Sequence, residues 1–534
     1  MRRLVFIFAI VIATGMFLFS AGVLASLDEQ PLAGIPKISL PAELREIING
    51  NREIALPSPH PYLMDIIVGL APRFDAVEDA RIAEILRQRR RMHDWWSGTN
   101  FQDSAGTDPL DVFLTHEQLG EEIRFLFDLL RNGYGGYQYF GGDDVFLSIR
   151  DALLERLAGM DNPLQVYSYL NDLILPALQD VIADNHFWIH DVRLGTPARV
   201  PYMSDEFILR RSDNCFITEI DGSMYRVIEI TRNAQPVGGT LPTLTPEGEF
   251  VWAFGLLTLE GPRDVMEITV LLENTATGEN HSRIVNLSKV AAAPPRPRYP
   301  MIVTRELGGI TIMESRSFHP GSRDDRDNFL RSGYALRDRP VLIIDLNGNS
   351  GGRAAYPHDW VRLYTGYELT GFMLFFQPRS QVSIELQDYL IPYQLSTIFR
   401  ARRVGSTTEE PSGGIGFLVQ MAPIPNENLV IVLMDNNVAS AGELFVGHLR
   451  QLENVLVVGT NTMGALISGS TGKTSLPHSG LRITFGTSIS MRLDLSPFEG
   501  VGFMPDLWVP PGESLERVLR FIERYGLASQ PLSQ

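Results

Sequence analysis

The chain has 534 residues, a formal net charge of −17 and a pI near 5.1. A chain this long exceeds what one core organises, so two or three domains are expected, and its acidity argues against nucleic acid as a partner, because phosphate binding needs concentrated positive charge. A single cysteine, Cys215, excludes an intramolecular disulfide and reads as a small core residue, and the lysines are only Lys37, Lys289 and Lys473.

Residues 1–25 combine a basic start (Arg2, Arg3), an apolar run from Leu4 to Phe19 and small residues before Ser26. That is the grammar of a secretory signal, so an exported protein is expected, periplasmic or extracellular. The apolar run is near the lower limit for spanning a bilayer, which leaves an uncleaved membrane anchor as the alternative. Residues 26 to about 60, with prolines at 31, 36, 41, 57, 59 and 61, read as an extended lead-in.

From about 74 to 190 the periodicity is helical. The basic run Arg87 to Arg91 falls on an amphipathic helix as a solvated face. Thr115 with Gln118 three residues later forms a capping box ahead of Ile123, Phe125, Leu126, Leu129 and Leu130. Further helices are predicted near Val145 to Ala158 and Leu164 to Ile182. Lead-in and helices together form a subdomain over 26–199. From 200 to 292 short alternating runs (FITEI, YRVIEI, MEITVLLE, SRIVNL) broken by Gly, Pro and Asn predict a small β-rich module, and the proline-rich 291–300 reads as a linker.

From about 300 to 534 apolar strands alternate with helical patterns: VLIIDL before a helix near Tyr356 to Leu363, LVIVLM before a helix opening at Ser440, then NVLVVG, LRITFGTSISM and a last helix from Glu513 to Tyr525. Such alternation predicts an α/β layer structure. Ser440 lies between strand and helix, where the first helical N–H groups lack intrahelical partners and the positive end of the helix dipole faces outward. A developing oxyanion there would be stabilised, with the Ala441 amide as one donor. Taken alone, such a serine is more often an N-cap than a nucleophile.

Three blocks, Leu342 to Gly352 (LIIDLNGNSGG), Ala439 to Glu443 with the trailing VVGTNTMG, and Phe498 to Val509 (FEGVGFMPDLWV), resemble in order and spacing the tail-specific, or C-terminal processing, serine peptidases. A fourth, Ile182 to Phe187 (IADNHF), resembles the Asp-x-His element of the branch that includes the tricorn core and the retinoid-binding-protein-like repeats. The resemblance implies a crotonase-like, or ClpP-like, spiral core over 300–534. It also implies a PDZ-like character for 200–292, degenerate because no Gly-Leu-Gly-Phe-type loop is present.

A serine needs a base within reach. The processing branch uses a lysine after Thr-x-Gly, but Thr462-Met463-Gly464 is followed by Ala465, so the resemblance implies the tricorn-like base instead, which matches His186. It further implies that Asn185 and Glu499 orient the imidazole and that Gly351 or Gly352 supplies the second oxyanion donor. Asp345 and Asn349 are expected to be architectural and Asp506 a turn-former. The stretch Gly469 to Ser475, a loop by composition, fails as a phosphate-binding loop because Ile467 stands where a glycine is required. Its Ser470-x-x-Lys473 lacks the partner motifs of penicillin-binding proteins. His186 and His190 lack the glutamate of a zinc helix, so neither metal nor cofactor is expected.

The expected function is an exported serine endopeptidase that cleaves protein or peptide substrates through an acyl-enzyme on Ser440, with His186 as general base. Alternatives are a non-catalytic binding protein on the same fold, or an acyl-CoA-type crotonase enzyme, which conflicts with export. Substrate specificity and oligomeric state are not written in the sequence.

Overall fold

Val341–Asp345, apolar up to its closing Asp345, and the apolar runs Leu429–Met434 and Val455–Gly459 lie side by side as parallel strands in the computed structural model of the protein, with Val341 opposite Leu429 and Val430 opposite Val455. Leu507–Trp508 extends the sheet on one side and the hairpin Ile302–Leu307 with Ile310–Ser315 on the other, making six strands. A parallel strand with side chains alternating toward two covered faces must be apolar at every position. Leu342, Ile344, Val430 and Val432 accordingly enter the core shared with helices Arg323–Ala335, Ala355–Thr365 and Ala441–Leu449. Val341, Ile343, Ile431 and Leu433 enter the opposite core, shared with Ala42–Gly50 and Ser514–Arg524.

The structure describes residues 40–52, 76–92, 108–160, 163–210, 215–259, 263–369, 372–378, 380–387, 413–416, 423–492, 496 and 498–528. The signal segment 1–25, most of the lead-in with Lys37, and part of the basic run at 87–91 lie outside the described residues or side chains. No helix among the described residues is long and apolar enough to cross a membrane.

The expected N-terminal helices form. His116–Gly133 begins with the capping box, Gln118 N–H to Thr115 Oγ1 at 3.3 Å and Thr115 N–H to Gln118 Oε1 at 2.9 Å. Gly142–Ala158 follows, and the run from Val166 to Gln179 is helical with a π-helical middle at Tyr169–Ile174. Proline-rich entry leads instead to the short helix Ala42–Gly50, so this part of the lead-in is not extended.

Strands from Val200 to Lys289 make an eight-stranded sheet, ordered Asn280–Lys289, Val265–Asn274, Ser223–Arg232, Phe216–Ile220, Val200–Arg210, Phe250–Thr258, Thr240–Leu244, with Gln235–Pro236 paired to Ser223–Arg232. Cys215 precedes Phe216–Ile220 and is half-buried, outside the core expected for it. The segment 291–300 is no free tether: Ala293 N–H bonds Asp435 Oδ2 at 3.1 Å, and Arg296 pairs with the buried Asp345 at 2.7 Å.

A third sheet positions the helical region against the C-terminal half. Trp188–Ile189 pairs antiparallel with Arg482–Met491, placing Ile189 opposite Ile483 and Trp188 opposite Thr484. Phe187 stacks on Phe485 at 5.8 Å, and Tyr134 meets Phe187 edge-on at 5.2 Å. Ser468–Ser475 is a strand of this sheet, with Lys473 opposite Thr484. Glycine and serine read as a loop there, but a pairing partner in Arg482–Met491 overrides weak local propensity.

Candidate active site

Ser440 follows strand Leu429–Met434 and the turn at Asp435, and it caps helix Ala441–Leu449 with φ 53 and ψ −120. A non-glycine residue at positive φ is strained, and strain of this kind, held by its surroundings, raises a side chain out of a sharp strand-to-helix turn. The surroundings are visible. Glu443 Oε2 accepts the Ser440 N–H at 3.0 Å, Asn349 O accepts the Ala439 N–H at 3.1 Å, and Asp435 O accepts the Val438 N–H at 3.0 Å.

His186 reaches this turn from 254 positions earlier, with Nε2 3.1 Å from Ser440 Oγ. The pairing with Arg482–Met491 just after it is what delivers it there. Its backbone N–H donates to Asp184 Oδ1 at 2.8 Å, and its Nδ1 is buried with no hydrogen-bond partner among the described residues. Burial lowers the His186 pKa from its ordinary value of 6.5; the Asp184 carboxylate acts to raise it and Arg193 to lower it further. The group within hydrogen-bond reach of Ser440 Oγ is therefore an imidazole that favours its neutral, proton-accepting form. Lys473, the remaining candidate base, is exposed on its strand.

Asn185 and Glu499 are brought together with His186, but neither touches its ring as anticipated. Glu499 Oε1 accepts the Asn185 backbone N–H at 2.5 Å, and the Asn185 side chain donates to Gly464 O at 3.1 Å. Their contacts hold the loop that carries the histidine. The ring could not be reached because the Asn185 side chain is turned into the 464 loop and the Glu499 carboxylate is occupied by backbone amides: Oε2 takes Leu466 N–H at 3.3 Å and Ile467 N–H at 3.0 Å.

Gly351 lies against Ser440, and Gly352, next in the chain, lies against the backbone of Phe318 and His319. Their φ values are 96 and 140, and a Cβ on Gly351 would stand 2.7 Å from Ala439 O, 2.9 Å from Ala441 N and 3.0 Å from Ser440 Cβ. Only glycine tolerates both the angle and the approach. The two are not equivalent as donors. Gly351 N–H is spent on Asn349 Oδ1 at 2.9 Å, whereas Gly352 N–H lies outside the bridge to Phe318, whose bonds run from Phe318 N–H to Gly351 O at 2.9 Å and from Arg353 N–H to Phe318 O at 3.0 Å. Of the three residues named as donors, Gly352 and Ala441 have amides with no hydrogen-bond acceptor among the described residues.

Several residues that organise the site escaped the sequence reading. Glu443, fully buried, accepts four donors: Ser440 N–H, Ala465 N–H at 2.8 Å, Gly464 N–H at 2.9 Å and Thr462 Oγ1 at 2.6 Å. Burial raises its pKa and these hydrogen bonds act to lower it. Its signal was present, since Ser440-x-x-Glu443 is a capping-box pattern. Asp184, also fully buried, accepts Tyr134 OH and Ser468 Oγ, each at 2.9 Å, besides the His186 amide. Burial, then the nearby Asp184 charge, pushes the Glu499 carboxyl well above the usual carboxylate range, while hydrogen bonds from Asn185 and Ile467 pull the other way. Consecutive amides of 464, 465, 466 and 467 thus end on two buried carboxylates, one tied to the serine turn and the other to the histidine loop.

The residues expected to be architectural are so. Asn349 bridges its own turn to Ser315 O at 2.9 Å, and Asp345 bonds Asn347 N–H at 3.0 Å. Asp506 does more than form a turn, accepting Val457 N–H at 2.7 Å and Asn51 Nδ2 at 2.9 Å from its buried position. Among the described residues no group of three or more His, Cys, Asp or Glu could hold a metal ion.

Residues 309–509 match Peptidase family S41, a span that includes Ser440, both glycines and both buried glutamates. No curated protein matches the chain. Among solved structures, mature CPAF superposes with TM-score 0.39 at 14% identity, covering 77% of this chain and 96% of its own. The photosystem II D1 C-terminal processing protease gives 0.33 and 14%, covering 74% and 94%, and the tricorn protease 0.29 and 13%, covering 75% and 35%. The match to Peptidase family S41 thus covers residues 309–509, the region that holds Ser440, and makes that region similar to the peptidases of this family.

Proposed function

We propose that the protein is an exported serine endopeptidase in which Ser440 is the nucleophile and His186 its general base. The observation that carries this is the 3.1 Å approach of His186 Nε2 to Ser440 Oγ at a strained strand-to-helix turn. His186 takes the hydroxyl proton as Ser440 Oγ attacks the peptide carbonyl. The oxyanion that forms is met by the amides of Gly352 and Ala441, both at the turn. Asp184, whose charge favours the imidazolium, stabilises the protonated base, and collapse of the intermediate returns that proton to the departing amine. Water then resolves the acyl-enzyme by the same steps in reverse. Asn185, Glu499 and Glu443 act as positioning residues, holding the two loops in register through backbone amides.

The same proposal extends to architecture and location. The 300–534 region is taken as a crotonase-like, ClpP-like core and the sheet at 200–292 as a degenerate PDZ-like module, with the signal-like residues 1–25 directing export and Ser26 as the mature N-terminus. Uncleaved, those residues would serve as a membrane anchor.

A fluorophosphonate probe followed by peptide mapping tests the chemistry. Ser440 is expected to be modified in folded protein and not in heat-unfolded protein, because only the assembled site supplies base and oxyanion donors. A folded chain that leaves Ser440 unlabelled while binding peptides tightly would establish a binding protein instead. Export is tested by mass spectrometry of the native N-terminus, and a cytoplasmic chain with intact Met1 would refute it.

A further inference from the structure

The glycine-rich stretch Gly133-Tyr134-Gly135-Gly136 closes helix His116–Gly133 and brings the helical region against the His186 loop. Gly135 N–H donates to Gly486 O at 2.9 Å, and a Cβ on Gly135 would stand 2.5 Å from Ser488 C, so backbone lies on backbone there. A Cβ on Gly136 would stand 2.6 Å from both Cζ and the hydroxyl oxygen of Tyr134, a space that only glycine leaves open. The Tyr134 ring lies edge-on to Phe187 at 5.2 Å and to Phe485 at 5.6 Å, and its hydroxyl donates to Asp184 Oδ2 at 2.9 Å. Ser468 Oγ donates to the other oxygen, Asp184 Oδ1, at 2.9 Å.

Asp184 is fully buried, and its carboxylate is held by three neutral donors: the Tyr134 and Ser468 hydroxyls and the His186 N–H at 2.8 Å. A carboxylate withdrawn from water is costly unless such donors surround it. Accepting the His186 amide needs no charge, since a neutral amide oxygen does as much. What the charge adds is a field on the base, whose Nε2 stands 3.1 Å from Ser440 Oγ and whose pKa Asp184 acts to raise against burial. Burial, then the Asp184 charge, holds the Tyr134 phenol well above its ordinary range, which keeps the hydroxyl protonated and donating. The other charged groups that face this cluster are Arg193, on strand Val192–Arg193, and Glu499.

We propose that Tyr134 and Ser468 are positioning residues for the reaction: their hydroxyls hold the Asp184 carboxylate charged and fixed beside the His186 loop, where it stabilises the imidazolium formed as Ser440 attacks. This rests on the serine–histidine reading of the site and extends its machinery to the end of helix His116–Gly133, far outside residues 309–509. Neither hydroxyl touches substrate, and the proton taken from Ser440 stays on the imidazole; the two act only through Asp184.

Tyr134→Phe deletes one hydroxyl and keeps the ring. With a quenched fluorescent peptide, kcat should fall about tenfold, the worth of one hydrogen bond to a charged group, and KM should stay within about twofold. Without that donor the Asp184 charge is no longer held toward the base, so the acidic limb of the kcat/KM profile should move to lower pH, in the direction of Asp184→Asn but by less. In an Asp184→Asn background, adding Tyr134→Phe should change kcat by less than about twofold, because the group it acts through is gone. Tyr137→Phe removes a hydroxyl bonded instead to Asp143 at 3.0 Å and should leave rate and limb where they are. Losses that multiply in the double variant, or an unmoved limb in folded Tyr134→Phe, would overturn the proposal; Ser468→Ala carries the same test should Tyr134→Phe not fold. Titration of His186 by NMR in Ser440→Ala, with and without Tyr134→Phe, reads the linkage without catalysis. If the fluorophosphonate leaves wild-type Ser440 unlabelled while Tyr134→Phe still lowers the His186 midpoint, the linkage stands and the peptidase mechanism falls; an equal midpoint overturns the linkage, whatever the labelling.

Discussion

The backbone amide of Asn185 donates to Glu499 Oε1 at 2.5 Å across 314 positions of sequence. Because Glu499 Oε2 also takes the amides of Leu466 and Ile467, the loop bearing His186 is fastened to the strand entering at Ser468 rather than to the imidazole itself. Removing the carboxylate should therefore loosen the loop more than alter the ring. In Glu499→Gln an amide nitrogen must face at least one of those N–H groups, at a cost of about 1–3 kcal/mol. The expected result is a lowered denaturation midpoint and a reduced kcat, with the pH midpoint of the rate still set by His186.

His186→Ala should lose cleavage by roughly 10⁶-fold while keeping its fold, the magnitude found when the histidine of a serine-protease triad is removed. In the wild type the rate should rise with pH as the imidazole loses its proton. Since burial lowers the His186 pKa, that midpoint should fall below the ordinary 6.5 in a kcat/KM profile. A midpoint in the lysine range, or a folded and active His186→Ala enzyme, would transfer the role to Lys473.

Asp184→Asn gives a result of opposite sign in two readouts. The Asp184 charge raises the His186 pKa against burial, so its removal should shift the acidic limb of the profile to lower pH. The plateau rate should fall at the same time, because the imidazolium formed in the transition state loses its counter-charge. A variant with an unmoved limb would show that Asp184 serves the backbone alone.

Gly352→Ala tests the turn. Its Cβ would stand 2.4 Å from Phe318 C and O, backbone atoms that have no room to yield, and the residue would sit at φ 140. A loss of about 1–3 kcal/mol in stability is expected, measured by urea denaturation, together with a slower fluorophosphonate reaction as the Gly352 amide is displaced.

Glu443→Gln should be the most costly of the conservative changes. Glu443 accepts four donors from inside the protein, and an amide offers one oxygen in place of two. About 1–3 kcal/mol for each donor left facing Nε2 is expected, seen as a lower denaturation midpoint and freer Gly464 and Ala465 amides in hydrogen exchange.

The sequence alone determined the strands and the two turns of the site. Runs such as VLII (341–344) and LVIVLM are apolar at every position, which a strand buried on both faces demands. Thr115 with Gln118 marked a helix start, and Ser440 before an amphipathic pattern marked another. These signals are local, so a linear text carries them. What joined His186 to Ser440 was read by resemblance, because no local pattern records a contact across 254 positions. Only the tertiary structure decided which of Gly351 and Gly352 keeps its amide, since that depends on where the Asn349 side chain turns. It likewise decided that Asn185 and Glu499 hold the loop and not the ring, and that Lys473 rides a strand paired to 482–491. Strand pairing and side-chain direction are set by partners distant in the chain, and burial there turns ordinary Glu and Asp residues into acceptors whose donors the sequence does not name.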